Sequence, residues 1–294
     1  MVNLSRPSQP FICPSSWQKL LLCTDGSPRG QGAIKATLAL AHACGQKVYV
    51  VNVLRVRAEV EAVAPDARAM LAREVSSYLE TIKAASAKAG VSVETRVRYG
   101  RWPHATILEE AEVIQPDLIV MGRFGQAGLS QLFMGSTTAQ VIGYSPFNVL
   151  VVPQNATMAF RTLLVASDGS PCSDAAWGEA LALARETQAE LYAISVARGE
   201  GEIVQAEEII HRLISAANQQ GMPVQGLVFK GMQPDDAIVQ EALRYKVDII
   251  ITGSHGRTGV KKLLMGSVTE RVIGQATCPV LVIKKSCQIS ECRE

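Results

Sequence analysis

The chain repeats itself, and that repeat limits the possible folds more than any other feature. The run LLLCTDGSP over Leu20–Pro28 returns as TLLVASDGSP over Thr162–Pro171, and DLIVMG over Asp117–Gly122 returns as DIIITG over Asp248–Gly253. The offset is 143 residues from Asp25 to Asp168 and from Val53 to Val196. It is 131 from Gly100 to Gly231, from Gly122 to Gly253 and from Gly135 to Gly266. Twelve residues are therefore missing from the second copy, all between Val196 and Gly231, and both flanks of the gap keep register. Self-similarity at fixed spacing means one supersecondary design used twice. The spacing predicts a shared fold with one loop difference, a longer first-copy loop around Arg55–Ala67 that is a natural place for a partner-specific surface. The predicted units are 18–155 and 156–285, with polar tails at 1–17 and 286–294.

Each copy alternates strand and helix. In the first, strands are expected near 19–24, 47–53, 91–98, 118–121 and 148–152, with helices over 30–44, 67–89, 104–114 and 136–143. The second repeats the pattern from Arg161 to Lys284. Strands separated by helices imply an α/β fold with a parallel sheet and right-handed crossovers. Composition agrees: 48% of residues are hydrophobic but only 5% aromatic, so the cores are built from Val, Ile, Leu and Ala, as buried parallel strands require. In such sheets ligands sit at the carboxyl ends of the strands, where the strand order reverses. The loops after the first and fourth strands are thus where chemistry is expected.

Other totals narrow the class. A net charge of +2 predicts no strong attraction to nucleic acid or anionic lipid. The first 18 residues lack the apolar core of a signal peptide, and no apolar run reaches the roughly 18–20 residues of a membrane span. The expectation is a soluble, cytoplasmic protein. The seven cysteines include no C-x2-C pair, which argues against a metal site or disulfide framework. Cys23 and Cys278 read as reduced, buried thiols, Cys287 and Cys292 as free thiols in a tail, and His42 with Cys44 as too few ligands for a metal.

The glycines are the chemical signal. Gly122-Arg-Phe-Gly125 is followed after nine residues by Gly135-Ser136, and Gly253-Ser-His-Gly256 after nine residues by Gly266-Ser267. Both are G-x2-G-x9-G-S, placed directly after a buried strand and directly before a helix. Glycines let backbone amides approach phosphate oxygens, and the helix start then presents free N–H groups and a positive dipole end to an anion. Each piece alone has a bland explanation. Ser267-Val-Thr-Glu270 is a capping box that needs no ligand, and Asp25 or Asp168 before Gly-Ser can simply form a turn. The whole frame, found twice at identical spacing, favours a binding role. Neither a P-loop nor a G-x-G-x-x-G dinucleotide motif is present.

With these residues the chain resembles the universal stress protein family, specifically tandem two-domain members of its ATP-binding branch. The resemblance covers about 18–153 and 160–284. It implies two open five-stranded parallel sheets of order 3-2-1-4-5, each sandwiched by about four helices, with ATP or AMP at the switch point. By resemblance, Asp25 and Asp168 take the ribose and phosphate side; a Mg2+ ion bound with the phosphates could touch them there, although no carboxylate cluster supports a dedicated metal site. Val53 and Val196 supply main-chain contacts to adenine. The phosphate loops map onto Gly122, Gly125, Gly135, Ser136 and Thr137, and onto Gly253, His255, Gly256, Gly266, Ser267 and Val268. Family members pair through the last strand, here Val149–Val152 and Val280–Ile283. A tandem chain can make that pair internally, as a pseudo-dimer that is free to dimerise further.

The copies differ where charge matters. Arg257, Lys261 and Lys262 accompany the second loop, whereas the first carries Arg123 with Gln126, Ser130 and Gln131. Phosphates gain from nearby cations, so the second copy is expected to hold a nucleoside triphosphate more tightly. Hydrolysis would require a positioned base or water-orienting group. His255 is the only candidate inside the loop, and Phe124 replaces it in the first copy. The reading is a non-catalytic adenine-nucleotide sensor in a stress response. An interaction scaffold with vestigial pockets and a slow ATPase stay open beside it.

Overall fold

The computed structural model describes residues 13–55, 65–124, 134–257 and 265–284. Gly125, Gln126, Ser130, Gln131, Lys261, Lys262, Cys287, Cys292 and most of the Arg55–Ala67 loop lie outside these segments. In the first copy the elements are β1 (Lys19–Cys23), α1 (Gln31–Cys44), β2 (Lys47–Arg55), α2 (Pro65–Lys88), β3 (Val93–Gly100), α3 (Pro103–Ile114), β4 (Leu118–Gly122), α4 (Ser136–Tyr144) and β5 (Asn148–Val152). The second copy follows with β6 (Thr162–Ala166), α5 (Pro171–Thr187), β7 (Glu190–Ala197), α6 (Ile203–Asn218), β8 (Val224–Lys230), α7 (Pro234–Arg244), β9 (Ile249–Gly253), α8 (Ser267–Gln275) and β10 (Val280–Ile283). Proline opens α3, α5 and α7, where its missing N–H costs nothing. Gly45, in the left-handed region at φ 67°, closes α1.

The expected sheet order appears in each half, and the halves join. The strands form one ten-stranded sheet, β3-β2-β1-β4-β5-β10-β9-β6-β7-β8. All neighbours are parallel except β5 and β10, which run antiparallel with Val151 opposite Val280, Leu150 opposite Leu281 and Val149 opposite Val282. The last strands of the two copies therefore pair within one molecule. Alternate side chains of each strand feed opposite faces. Leu20 and Leu22 belong to the core on the face covered by α1, α2, α5 and α6, and Leu21 and Cys23 to the core on the face covered by α3, α4, α7 and α8.

The twelve-residue difference is not confined to a loop. Helix α2 has 24 residues and its counterpart α6 has 16, so eight of the twelve extend a helix. The repeat registers the gap correctly but cannot say whether extra residues coil or extend an existing helix.

Two further departures from the sequence reading concern the N-terminal segment and the cysteines. The chain from Cys13, assigned to a polar tail, packs on the body. Trp17 is buried against Phe160, and Ser15 donates through its N–H (2.9 Å) and Oγ (2.7 Å) to the Glu186 carboxylate of the second copy. Cys13 is bonded to Cys44, and Cys172 is also disulfide-bonded, against the expectation that no cysteine bridges. The separation of 31 positions from Cys13 to Cys44 carries no spacing signature, and only the return of α1 beside the start of the chain brings them together. Cys23 and Cys278 are free, as expected, and burial pushes their thiols up to about 12 and about 11.

One buried ion network braces the first copy. Glu110 of α3 is 6% exposed and accepts from Arg96 Nη1 (2.9 Å) and Arg98 Nε of β3. Burial alone raises its pKa, but the hydrogen bonds from Arg98 and Arg96 outweigh it and hold the carboxyl below the ordinary carboxylate value. A group depressed in the folded state stabilises above its unfolded pKa, and that stability is lost as pH falls through the folded value. Stability should therefore decline in acid from about pH 4.5 downward. In a Glu110→Gln protein that acid-dependent part should shrink, which urea titrations at pH 7 and pH 3.5 would read; equal pH dependence in both proteins would refute the assignment.

Candidate functional site

The loops after β6 and β9 converge at the carboxyl end of the second half-sheet and enclose a pocket of about 370 Å³. The fold brings them there because β6 and β9 are neighbours in the sheet although 83 residues separate Ala166 from Ile249. Of the predicted residues, Asp168, Val196, Gly253, His255, Gly256, Gly266, Ser267 and Val268 all line this pocket. Asp168 organises one wall. Its Oδ1 accepts from Ser170 N–H (3.0 Å), forming the turn that Gly169 allows at φ 78°, and its Oδ2 accepts from Arg257 N–H (2.8 Å). A Cβ on Gly256 would lie 2.5 Å from that same Oδ2, so a side chain there would displace the carboxylate that the Ser170 and Arg257 amides hold.

The start of helix α8 supplies another wall. The capping box expected of Ser267 and Glu270 does not form. Gly266 is the N-cap, Glu270 N–H donates to its carbonyl (3.0 Å), and Ser267 is the first helical residue. The Ser267 hydroxyl is therefore not used on its own helix and lines the pocket instead. Thr269 fastens the helix start to the sheet by donating to Gly253 O (2.9 Å), and Gly266 N–H donates to Ser254 O (2.8 Å).

Gly266 needs neither unusual backbone nor close packing. Its φ of −66° and ψ of 140° suit any residue, and an added Cβ would meet nothing nearer than 3.5 Å. Glycine is a favoured N-cap, and one with open space around it also leaves the helix-start backbone accessible to an anion. Gly253 is different, since a Cβ there would lie 2.7 Å from the Cys172 backbone. It serves packing as well as any site. No group of three or more His, Cys, Asp or Glu among the described residues could hold a metal.

The sequence reading missed some of the walls. Pro234 and Ile238 of α7 and Ile194 of β7 provide the apolar side, and Arg198 and Glu202 stand at the rim, with Arg198 N–H donating to Glu202 (2.9 Å). The switch-point argument points to the end of β7 but gives no means of choosing side chains in the adjoining helices.

The first copy repeats the backbone and changes the side chains. Asp25 Oδ1 accepts from Ser27 N–H (3.0 Å), Gly135 is the N-cap of α4, and Gly135 N–H donates to Arg123 O (2.9 Å). Asp25, Gly122, Gly135, Ser136 and Thr137 thus hold the places of their second-copy counterparts, with Val53 near the end of β2; Gly125 is outside the described residues. Arg123, expected to serve phosphate, turns away. Its guanidinium reaches Gly274 O (2.8 Å) and Ala276 O in the second copy. Phe124, where the second copy has His255, lies 5.9 Å from the Arg29 guanidinium and 5.7 Å from that of Arg123.

Fold and loops together define a class: a tandem α/β protein whose glycine frames face the switch point of each half-sheet. The chain belongs to the universal stress protein family, whose model matches residues 16–153 and 159–284. It is 33% identical over 148 residues to a universal stress protein of Methanocaldococcus jannaschii, covering 45% of this chain and 86% of the relative. With one of Mycolicibacterium smegmatis it shares 29% over 211 residues, 66% of this chain and 70% of the other. Its fold matches the crystal structure of a universal stress protein from Archaeoglobus fulgidus with a TM-score of 0.73 at 21% identity, over 91% of this chain and 98% of that one. No helix among the described residues is long and apolar enough to cross a membrane.

Proposed function

We propose that this universal stress protein binds an adenine nucleotide without turning it over, and that its second copy is the principal site. The observation that carries the reading is Gly266, a helix-capping glycine with room for a side chain, facing a pocket that Asp168 closes on the other side. In this arrangement the Gly266–Ser267 backbone and the Ser267 hydroxyl hold phosphate oxygens, Asp168 meets the ribose, and the end of β7 at Val196 meets the base. Arg257 is the described loop cation nearest to this role, and its guanidinium rests on Gln205 of α6. The first copy commits Arg123 to the domain interface and carries Phe124 in its loop, which supports weaker triphosphate binding there. His255 is the only histidine lining the second pocket, and its ring contacts Ser254 Oγ at 3.2 Å. Phe124 takes the place of His255 in the first copy, so a catalytic role could not be shared by both sites, which supports binding over catalysis.

Mass spectrometry of the small molecules released on denaturing the purified protein tests this directly. About one equivalent of adenine nucleotide, or ATP binding by calorimetry at that stoichiometry, is the expected result. If neither is observed, the nucleotide reading falls and a scaffold role takes its place.

A further inference from the structure

The side chain of Arg123 belongs to one copy and acts on the other. It leaves the loop after β4, crosses the β5·β10 seam and donates to the carbonyls of Gly274 and Ala276, in the last turn and at the C-cap of α8. Those carbonyls have no partner within the helix, and a cation there also complements the negative end of the helix dipole. Helix α8 is nine residues long, about 13 Å from end to end, and helices this short depend on their ends and their packing. Its other end, Gly266 and Ser267, forms a wall of the second pocket. Position 254, the counterpart of Arg123, is Ser254, so the contact has no mirror image. The reverse crossing is made by a different residue: Lys284 Nζ donates to Gly143 O (3.2 Å) in α4.

We propose that Arg123 is a positioning residue for the second copy's site, which is therefore completed by the first copy and is not autonomous. This rests on the binding assignment above.

Hydrogen exchange on the full chain tests the positioning without any ligand. Arg123→Met should speed exchange of the Glu270 and Ala276 amides at least fivefold, with Arg123→Lys intermediate. Lys284→Met, which loosens the same seam from the other side, should leave those two amides unchanged. Calorimetry with ATP should then show at least fivefold weaker binding for Arg123→Met and less than twofold change for Lys284→Met. Equal effects of the two methionine variants on α8, or none, would overturn the proposal. Failure of the wild type to bind ATP, with the exchange pattern as expected, would instead remove the nucleotide reading and leave the positioning intact.

Discussion

Gly266→Ala should cost the second site about 10–100-fold in ATP affinity while leaving the protein folded. The backbone there accepts alanine, and the nearest atom to the new methyl is 3.5 Å away. Alanine caps helices somewhat worse than glycine but restricts the unfolded chain, so stability should change by no more than about 1 kcal/mol. The methyl would stand between a phosphate oxygen and the backbone donors at the helix start. Losing a hydrogen bond to a charged group costs about 1.5–3 kcal/mol, and each 1.4 kcal/mol is about tenfold in affinity. Calorimetry and urea unfolding on the same preparation separate the two effects. Unchanged affinity would mean that no phosphate approaches Gly266. Gly253→Ala is a poorer probe, because its methyl would strike the Cys172 backbone and confound binding with folding.

Leu281→Ala should destabilise the whole chain by about 2–5 kcal/mol, the usual cost of emptying a buried leucine site. Leu281 and its cross-strand partner Leu150 are both fully buried, at the one antiparallel junction of the sheet. Because β5 and β10 complete each other, neither copy can unfold without exposing the other's last strand. The wild type should therefore melt in a single transition, and Leu281→Ala should lower its midpoint or split it in two. A variant losing less than about 1 kcal/mol would show that the seam contributes little to the fold.

Much of this molecule is legible along the chain, for reasons that are local or periodic. Aliphatic runs such as Leu118–Met121 and Ile249–Thr252 can only be buried strands, and the intervening amphipathic segments can only be crossover helices. The two offsets, 143 and 131, state that one fold is used twice. The glycine frames mark the loops because a conformational or steric demand on a backbone appears as a residue type, whatever surrounds it. The eight second-copy residues that the family resemblance points to, Val196, His255 and Val268 among them, all line one pocket.

What the chain alone left undecided depends on residues distant in sequence becoming neighbours. Ser267 in its sequence context reads as a cap, and only the backbone geometry at Gly266 shows that the glycine caps and the serine is spare. Arg123 reads as a phosphate cation, yet 151 residues later in the chain Gly274 offers it an unpartnered helix-end carbonyl across the seam. Cys13 and Cys44 meet because α1 returns the chain to its own start, and no spacing rule encodes that. Local sequence specifies what each segment can be, since backbone propensity and hydrophobic period act over a few residues. Which side chain spends its hydrogen bonds on a ligand and which on another helix is settled only by tertiary packing, because donors and acceptors pair with whatever the fold brings within about 3 Å.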